Sequence, residues 1–367
     1  MATLAGAVPE AGAHVYWSIR GGASGTTIGR ANPDGSGANA NFITGASGPV
    51  GLAVDSSHVY WANTFSAYIG RSNLDGSGAN QSFISLPGVL PCGVAIDKKH
   101  IYWANSIGTT IGRANLDGTS PNTTFITGAS DPCGVAVDDK HVYWANQGTS
   151  NSGTTIGRAN LDGTSTTQSF ITGASHPVGV AVNQSFIYWG NGNTDAIGRA
   201  AINGTDVNQN FITGANEPDM PALDGSHIYW SNAGGASIGR ANLDGTQANQ
   251  TFLNVASNPG GVAVDAPSNA FTLGKPKLNT KKGTAGLKAK VPGPGKLKLS
   301  GKDVASDSAS ASKAGNVGLQ VKAHGAAARK LKKDGSAKVT VKVKYTPTGG
   351  ASKTVSKSLK LKLKPKL

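Results

Sequence analysis

The chain is poor in cysteine, has no long apolar run and carries almost no acid over its last quarter. Two cysteines in 367 residues exclude a disulfide framework and leave one bridge at most. No stretch approaches the ~20 apolar residues that cross a bilayer, and residues 4–8 are too short and lack the basic flank of a secretory signal. The 51 glycines follow no every-third-residue period, which excludes a collagen-like fibre. With 38% hydrophobic and 15% charged residues, a highly charged disordered chain is excluded too, and a globular, turn-rich protein remains. A Gly-x-Ser-x-Gly elbow, a phosphate loop and a His-Glu-x-x-His helix are all missing.

Charge divides what is present. Residues 1–270 hold 10 basic and 17 acidic side chains, net −7; residues 271–367 hold 24 and 3, net +21, and the two make up the overall +14. The same boundary is where text rich in Asn, Thr and Trp gives way to lysine-rich text, the mark of a domain border.

The first body repeats. All six tryptophans follow a tyrosine, from Tyr16-Trp17 to Tyr229-Trp230, and 213 residues over five intervals give a mean period of 42.6. A period of about 40–45 residues with four short strands per unit is that of propeller blades. In the unit starting at Gly134, GVAVD (134–138) alternates as an innermost strand, and HVYWAN (141–146) and TTIGRAN (154–160) form the second and third. Leu161-Asp162-Gly163 supplies a hairpin, expected as a type I′ turn, and SFIT (169–172) is the outer strand. No helical period interrupts these units, so parallel β-α-β architectures are excluded. The first Tyr-Trp has no full GVAVD before it, while GVAVD at 261–265 has no Tyr-Trp after it. Residues 261–265 are therefore expected to complete the first blade and lock the ring, with residues 4–8 as the alternative.

These motifs resemble the six-bladed YWTD propellers of the low-density lipoprotein receptor class B type, over about residues 13–265. The family's Thr-Asp after Tyr-Trp is replaced here by Ala62-Asn63, Ala104-Asn105, Ala145-Asn146, Gly190-Asn191, Ser231-Asn232 and Ser18-Ile19, and the flanking cysteine-rich modules are absent. The resemblance implies a ligand-presenting ring and carries no receptor role with it. The second body resembles the lysine-rich β-sandwich tails of secreted actinobacterial propellers. Its alternating runs, such as Lys338 to Lys344 and Leu359 to Lys364, put apolar groups on one sheet face and lysines on the other. The fold expectation is all-β throughout: a six-bladed propeller over 1–270, then a small immunoglobulin-like sandwich over 271–367.

Residues common to every blade build the ring, so function is sought where the repeat breaks. Asp75, Asp117, Asp162 and Asp244 are turn residues, since a calcium loop of the EF-hand kind needs acids absent here. Five of the seven histidines (His14, His58, His100, His141 and His227) stand before the second strand and are read as hairpin residues. Around the loop prolines the repeat varies, and Asp131, His176, Glu217 and Asp219 form an acidic, imidazole-bearing arc on three successive blades. With Phe65 and Tyr68 as an aromatic shelf, and the insertion 147–153 above them, the rim is expected to bind a protein or carbohydrate ligand without a cofactor. The competing expectation is a metal-assisted lyase or hydrolase like streptogramin lyases or lactonases, with His176 and Glu217 as acid and base and a divalent cation on Asp131, Glu217 and Asp219. Cys92 and Cys133 occupy equivalent sites in adjacent blades and are either bridged or two buried thiols. The +21 body is expected to adhere to polyanions such as anionic cell-wall polymers, without sequence-specific recognition of nucleic acid. A location outside the cell or on its surface is expected, with no transmembrane segment.

Overall fold

The computed structural model describes residues 13–20, 26–255, 258–265, 271–312, 314–347 and 352–364. The chain divides into two compact units after Asp265. Between His14 and Asp265 stand six antiparallel sheets of four strands. Their inner strands are Pro49–Val54, Leu90–Ile96, Pro132–Val137, Pro177–Val182, Ala222–Leu223 and Pro259–Val264. The first five open blades 2 to 6. The sixth pairs with Val15–Ile19, with Val15 opposite Val264 and Trp17 opposite Val262, and so completes blade 1. Residues 4–8 lie outside the described residues. Inner strands of neighbouring blades pack side by side all the way round, Pro259–Val264 against Pro49–Val54 included. The unit is an all-β propeller.

The Tyr-Trp pair explains the ring physically. Consecutive strand residues point to opposite faces, so each tyrosine meets one neighbouring blade and each tryptophan the other. Tyr60 shares a core cluster with Trp103, Tyr102 with Trp144 and Tyr143 with Trp189; Tyr188 meets Trp230, and Tyr229 meets Trp17 across the closure. A fully buried indole of about 150–250 Å² contributes roughly 4–6 kcal/mol before entropy is subtracted. Each indole lies over the glycine opposite it on the third strand, as Trp144 over Gly157, where a Cβ would collide with the ring. Nearer the axis, a Cβ at Gly134 would collide with Gly179 of the next inner strand. Glycine here sets how closely the blades approach the centre.

The hairpins hold the acids. Asp138 Oδ1 accepts the Lys140 and His141 N–H groups at 2.6 and 2.7 Å, and Oδ2 accepts the Tyr143 hydroxyl at 2.9 Å. In blade 1 the partner of His14 and Tyr16 is Asp265, from the far end of the ring. The Leu-Asp-Gly turns differ from the type I′ expectation: positive φ falls on the glycine, 84° at Gly76, and not on Asp75. The Gly76 N–H donates to the Asn73 carbonyl at 2.9 Å and the Asn73 N–H to the Ser77 carbonyl at 3.0 Å. This is a three-residue loop with glycine in the left-handed position. Asp75, the middle residue of that loop, accepts the Ser77 N–H and hydroxyl, which hold its carboxyl below the usual range.

The second unit has two sheets about one core of alternating residues that includes Leu287, Val321, Leu297, Val341 and Leu361. One joins Gly295–Ser300, Asp307–Ala311, Ser336–Pro347 and Lys353–Lys362; in the other, Thr284–Val291 pairs with Gly315–Lys322, Thr272–Leu273 and Lys277–Asn279. The unit also carries one helix among its described residues, Gly325–Asp334, which buries Ala327 and Leu331 in that core and stops at Gly335 with φ 65°. Its alanine and lysine content favours a helix, and glycine is the usual left-handed stop.

Candidate binding mouth on the propeller axis

One face of the ring carries the loops from each outer strand to the next inner strand, together with the turns between second and third strands. In five of these loops the residue before the proline is left-handed: Gly48, Asp131, His176, Glu217 and Asn258, with φ from 45° to 57°. Glycine or asparagine meets that demand at little cost. For Glu217 the same backbone costs on the order of 1 kcal/mol or more, while aspartate and histidine tolerate it better.

Two recesses open here beside the axis. One, of about 180 Å³, is lined by Arg20, Gln147, His176, Asn193, Glu217 and Asp219. The other, of about 230 Å³, is lined by Phe65, Ile107, Asp131 and Cys133, and it shares Arg20, Gln147 and Val178 with the first. The floor is apolar: Val50, Val178 and Met220 pack around Cys92 and Cys133, which are bonded to each other with Cα atoms 5.0 Å apart.

Arg20 organises the polar side. It pairs with Asp219, joining blade 1 to the entry of blade 6. Burial pushes the Asp219 carboxyl up, against the pull of Arg20 and of the Met220 N–H, which it accepts at 2.8 Å. The Arg20 Nε is buried with no partner among the described residues. Next to this pair, the His176 Nε2 lies 2.8 Å from the Gln147 amide nitrogen. A neutral imidazole accepts that bond and a charged one cannot. Burial likewise lowers the His176 pKa, although Asp219, Glu217 and Asp131 pull it upward. Asp131 Oδ1 accepts the Ile107 N–H at 2.5 Å, and the Glu217 N–H donates to Asp195 at 2.8 Å.

The apolar side is Phe65, 64% exposed on the short turn Thr64–Ser66, with Ile107, 81% exposed at φ 57°. Tyr68 is half-buried at the start of Tyr68–Asn73 and lines neither recess, so the shelf is Phe65 with Ile107. The insertion at 147–153 reaches the mouth through Gln147 and Asn151. Among the described residues no three His, Cys, Asp or Glu side chains are grouped to hold a cation. The set Asp131, Glu217 and Asp219 is thus not assembled as ligands: Asp219 is taken by Arg20, and Asp131 faces the other recess. Sequence reasoning missed Arg20 and Ile107. Arg20 had a signal, since Ser18-Ile19-Arg20 replaces the repeat's Ala-Asn-Thr (62–64); Ile107 had none, because its exposure follows from a local left-handed turn.

A hollow of about 1060 Å³ lies on the opposite face over Asp55, Asp97 and Asp138. There Asp55, Asp97 and Asp138 are each tied to their own hairpin, while blade 5 departs from the repeat with Asn183 and Phe186 in place of the aspartate and histidine.

No protein-family model and no curated protein matches the chain. Among solved structures, the chain is similar to one in a nidogen/laminin complex, with a TM-score of 0.59 and 22% identity over 69% of this chain and 98% of that one. It also matches virginiamycin B lyase from Staphylococcus aureus bearing the inactivating H270A change, at a TM-score of 0.48 and 17% identity over 80% of this chain and 87% of that one. What the nidogen likeness establishes is the fold, a β-propeller.

Proposed function

We propose that this protein is a binding scaffold of the cell exterior, whose ring presents the mouth described above to a protein ligand while the basic unit holds the chain on anionic polymer. The observation that carries this reading is the pairing of Phe65 and Ile107, both exposed, with the polar recess around Arg20 and His176. Large exposed apolar side chains rimmed by polar groups mark interaction sites, and anchors of this kind dominate binding energy. The Cys92–Cys133 bridge supports an oxidising compartment. Lysine in excess, with three acids in the whole basic unit, supports adhesion to polyanions.

A photo-crosslinking residue placed at position 107, or at position 184 on the opposite face, tests the mouth in extracts of cells that make the protein. Adducts are expected from position 107 alone and disappear in the F65D variant. Equal adducts from both positions sink the reading.

A further inference from the structure

The outward face of one sheet in the basic unit is built from three residue types only. On the sheet of Gly295–Ser300, Asp307–Ala311, Ser336–Pro347 and Lys353–Lys362, every outward position is lysine, serine or threonine, and seven are lysine. Lys298 stands directly opposite Lys344, and Lys338 opposite Lys360. Like charges so placed repel and cost stability. The unit's three acids do not relieve them: Asp303 Oδ1 accepts the Ala326 N–H at 3.1 Å, Asp307 Oδ2 accepts the Gln320 N–H at 2.6 Å, and Asp334 pairs with Lys330 at 2.6 Å. The other sheet is different. Its outward lysines, Lys277, Lys288, Lys290 and Lys322, number four and are interspersed with Gly286, Asn316, Gly318 and Gln320.

Protection of sheet edges does not explain the pattern. Lysines that block edge-to-edge pairing belong on edge strands. Here five of the seven stand on the two central strands, Gly295–Ser300 and Ser336–Pro347, and the edge strand Asp307–Ala311 has none.

We infer that this lysine, serine and threonine face is the docking surface for an extended, base-free phosphodiester polymer; the inference rests on the polyanion adhesion proposed above and assigns it a face and a ligand chemistry. Lysine supplies point charges to phosphates, and the hydroxyls between the lysines donate to phosphate oxygens. The face has no groove-bound aromatic on which bases stack, because Phe271 and Tyr345 are buried in the core. It also carries no exposed large apolar side chain to enter a lipid layer; Leu278, the exposed one among the described residues of this unit, is on the other sheet.

The test uses the full chain and two variants that each lose four charges: K298Q/K338Q/K342Q/K344Q on the proposed face and K277Q/K288Q/K290Q/K322Q on the other sheet. Binding to polyglycerol phosphate is measured by titration from 50 to 300 mM salt, with single-stranded DNA and phosphatidylglycerol vesicles as rival probes at equal charge. The first variant is expected to lose at least tenfold in affinity and to flatten the log–log salt slope by about 3, four contacts at ~0.7 each. The second variant is expected to lose less than threefold. Melting of the first variant, unchanged or raised by relief of repulsion, separates lost contacts from lost folding. Equal losses in the two variants overturn the face assignment but leave adhesion standing. Tighter binding to DNA or to vesicles overturns the ligand chemistry. No binding of the parent chain to any of the three probes overturns adhesion itself.

Discussion

The two units use charge in opposite ways. In the ring, acids are tied down: Asp138 accepts two backbone N–H groups and a tyrosine hydroxyl, and Asp219 is paired with Arg20. In the basic unit, lysines on the central strands face their own kind. Charge in the ring is therefore met by partners within the fold, whereas like charges opposite one another on the basic sheet work against it. Uncompensated charge on a regular surface points to binding; compensated charge in a repeat points to architecture.

The sharpest way to break this comparison is through backbone packing. Gly134→Ala places a Cβ against the neighbouring inner strand and is expected to cost about 3 kcal/mol or more of ring stability. Gly318→Ala in the basic unit meets nothing within 4 Å and is expected to leave stability within about 0.5 kcal/mol. All six tryptophans precede residue 271, so urea unfolding followed by indole fluorescence reads the ring alone and far-ultraviolet circular dichroism reads both units. Equal effects of the two substitutions contradict the account of the axis.

Acid gives the second comparison. Burial alone raises the Asp97 pKa, but the Lys99 and His100 N–H groups, the Tyr102 hydroxyl and nearby His100 together hold it below the usual range. A depressed folded pKa means that its contribution is present above about pH 4 and is lost as pH falls through the folded value. The ring's urea midpoint is expected to drop below pH 4 and the basic unit's to drop far less. A parallel decline of both across pH 5 to 3 would count against the hairpin bonds.

The smallest expected effect sharpens the comparison within the ring itself. In blades 2, 4, 5 and 6 a glutamine, such as Gln168, accepts the indole N–H at 3.0 Å and donates to the preceding blade at 3.0 Å. Blades 1 and 3 have Ala40 and Thr123 at that position, and the Trp17 and Trp103 nitrogens are buried without partners among the described residues. Thr123→Gln is expected to stabilise the ring by about 1 kcal/mol. A destabilised variant would show that the indole N–H has found another partner.

How far the fold is legible in the sequence follows the same division. A 42.6-residue period and the Tyr-Trp pair suffice for an all-β propeller, because alternation on a strand forces the two rings to opposite neighbours. The hairpin type is less accessible: Leu-Asp-Gly is compatible with two loop lengths, and the Asn-to-Ser/Thr hydrogen bonds that choose between them act across the loop. The helix Gly325–Asp334 had a visible signal in its alanines and in Gly335, but the alternation of valine with polar residues on either side reads as strand. At the mouth, departures from the repeat single out His176 and Glu217. The Arg20–Asp219 pair spans 199 residues, and no local pattern brings such partners together.

The shared sheet of blade 1 also sets an order of events during synthesis. Residues 15–19 are made before the other described strands of the ring, yet the strand that covers their inner side is not made until residue 264 has left the ribosome. Blades 2 to 5 can assemble in succession meanwhile. Any product stopped short of residue 259 therefore lacks the strand that pairs with the inner side of Val15–Ile19, and that open edge is where proteolysis and aggregation would begin.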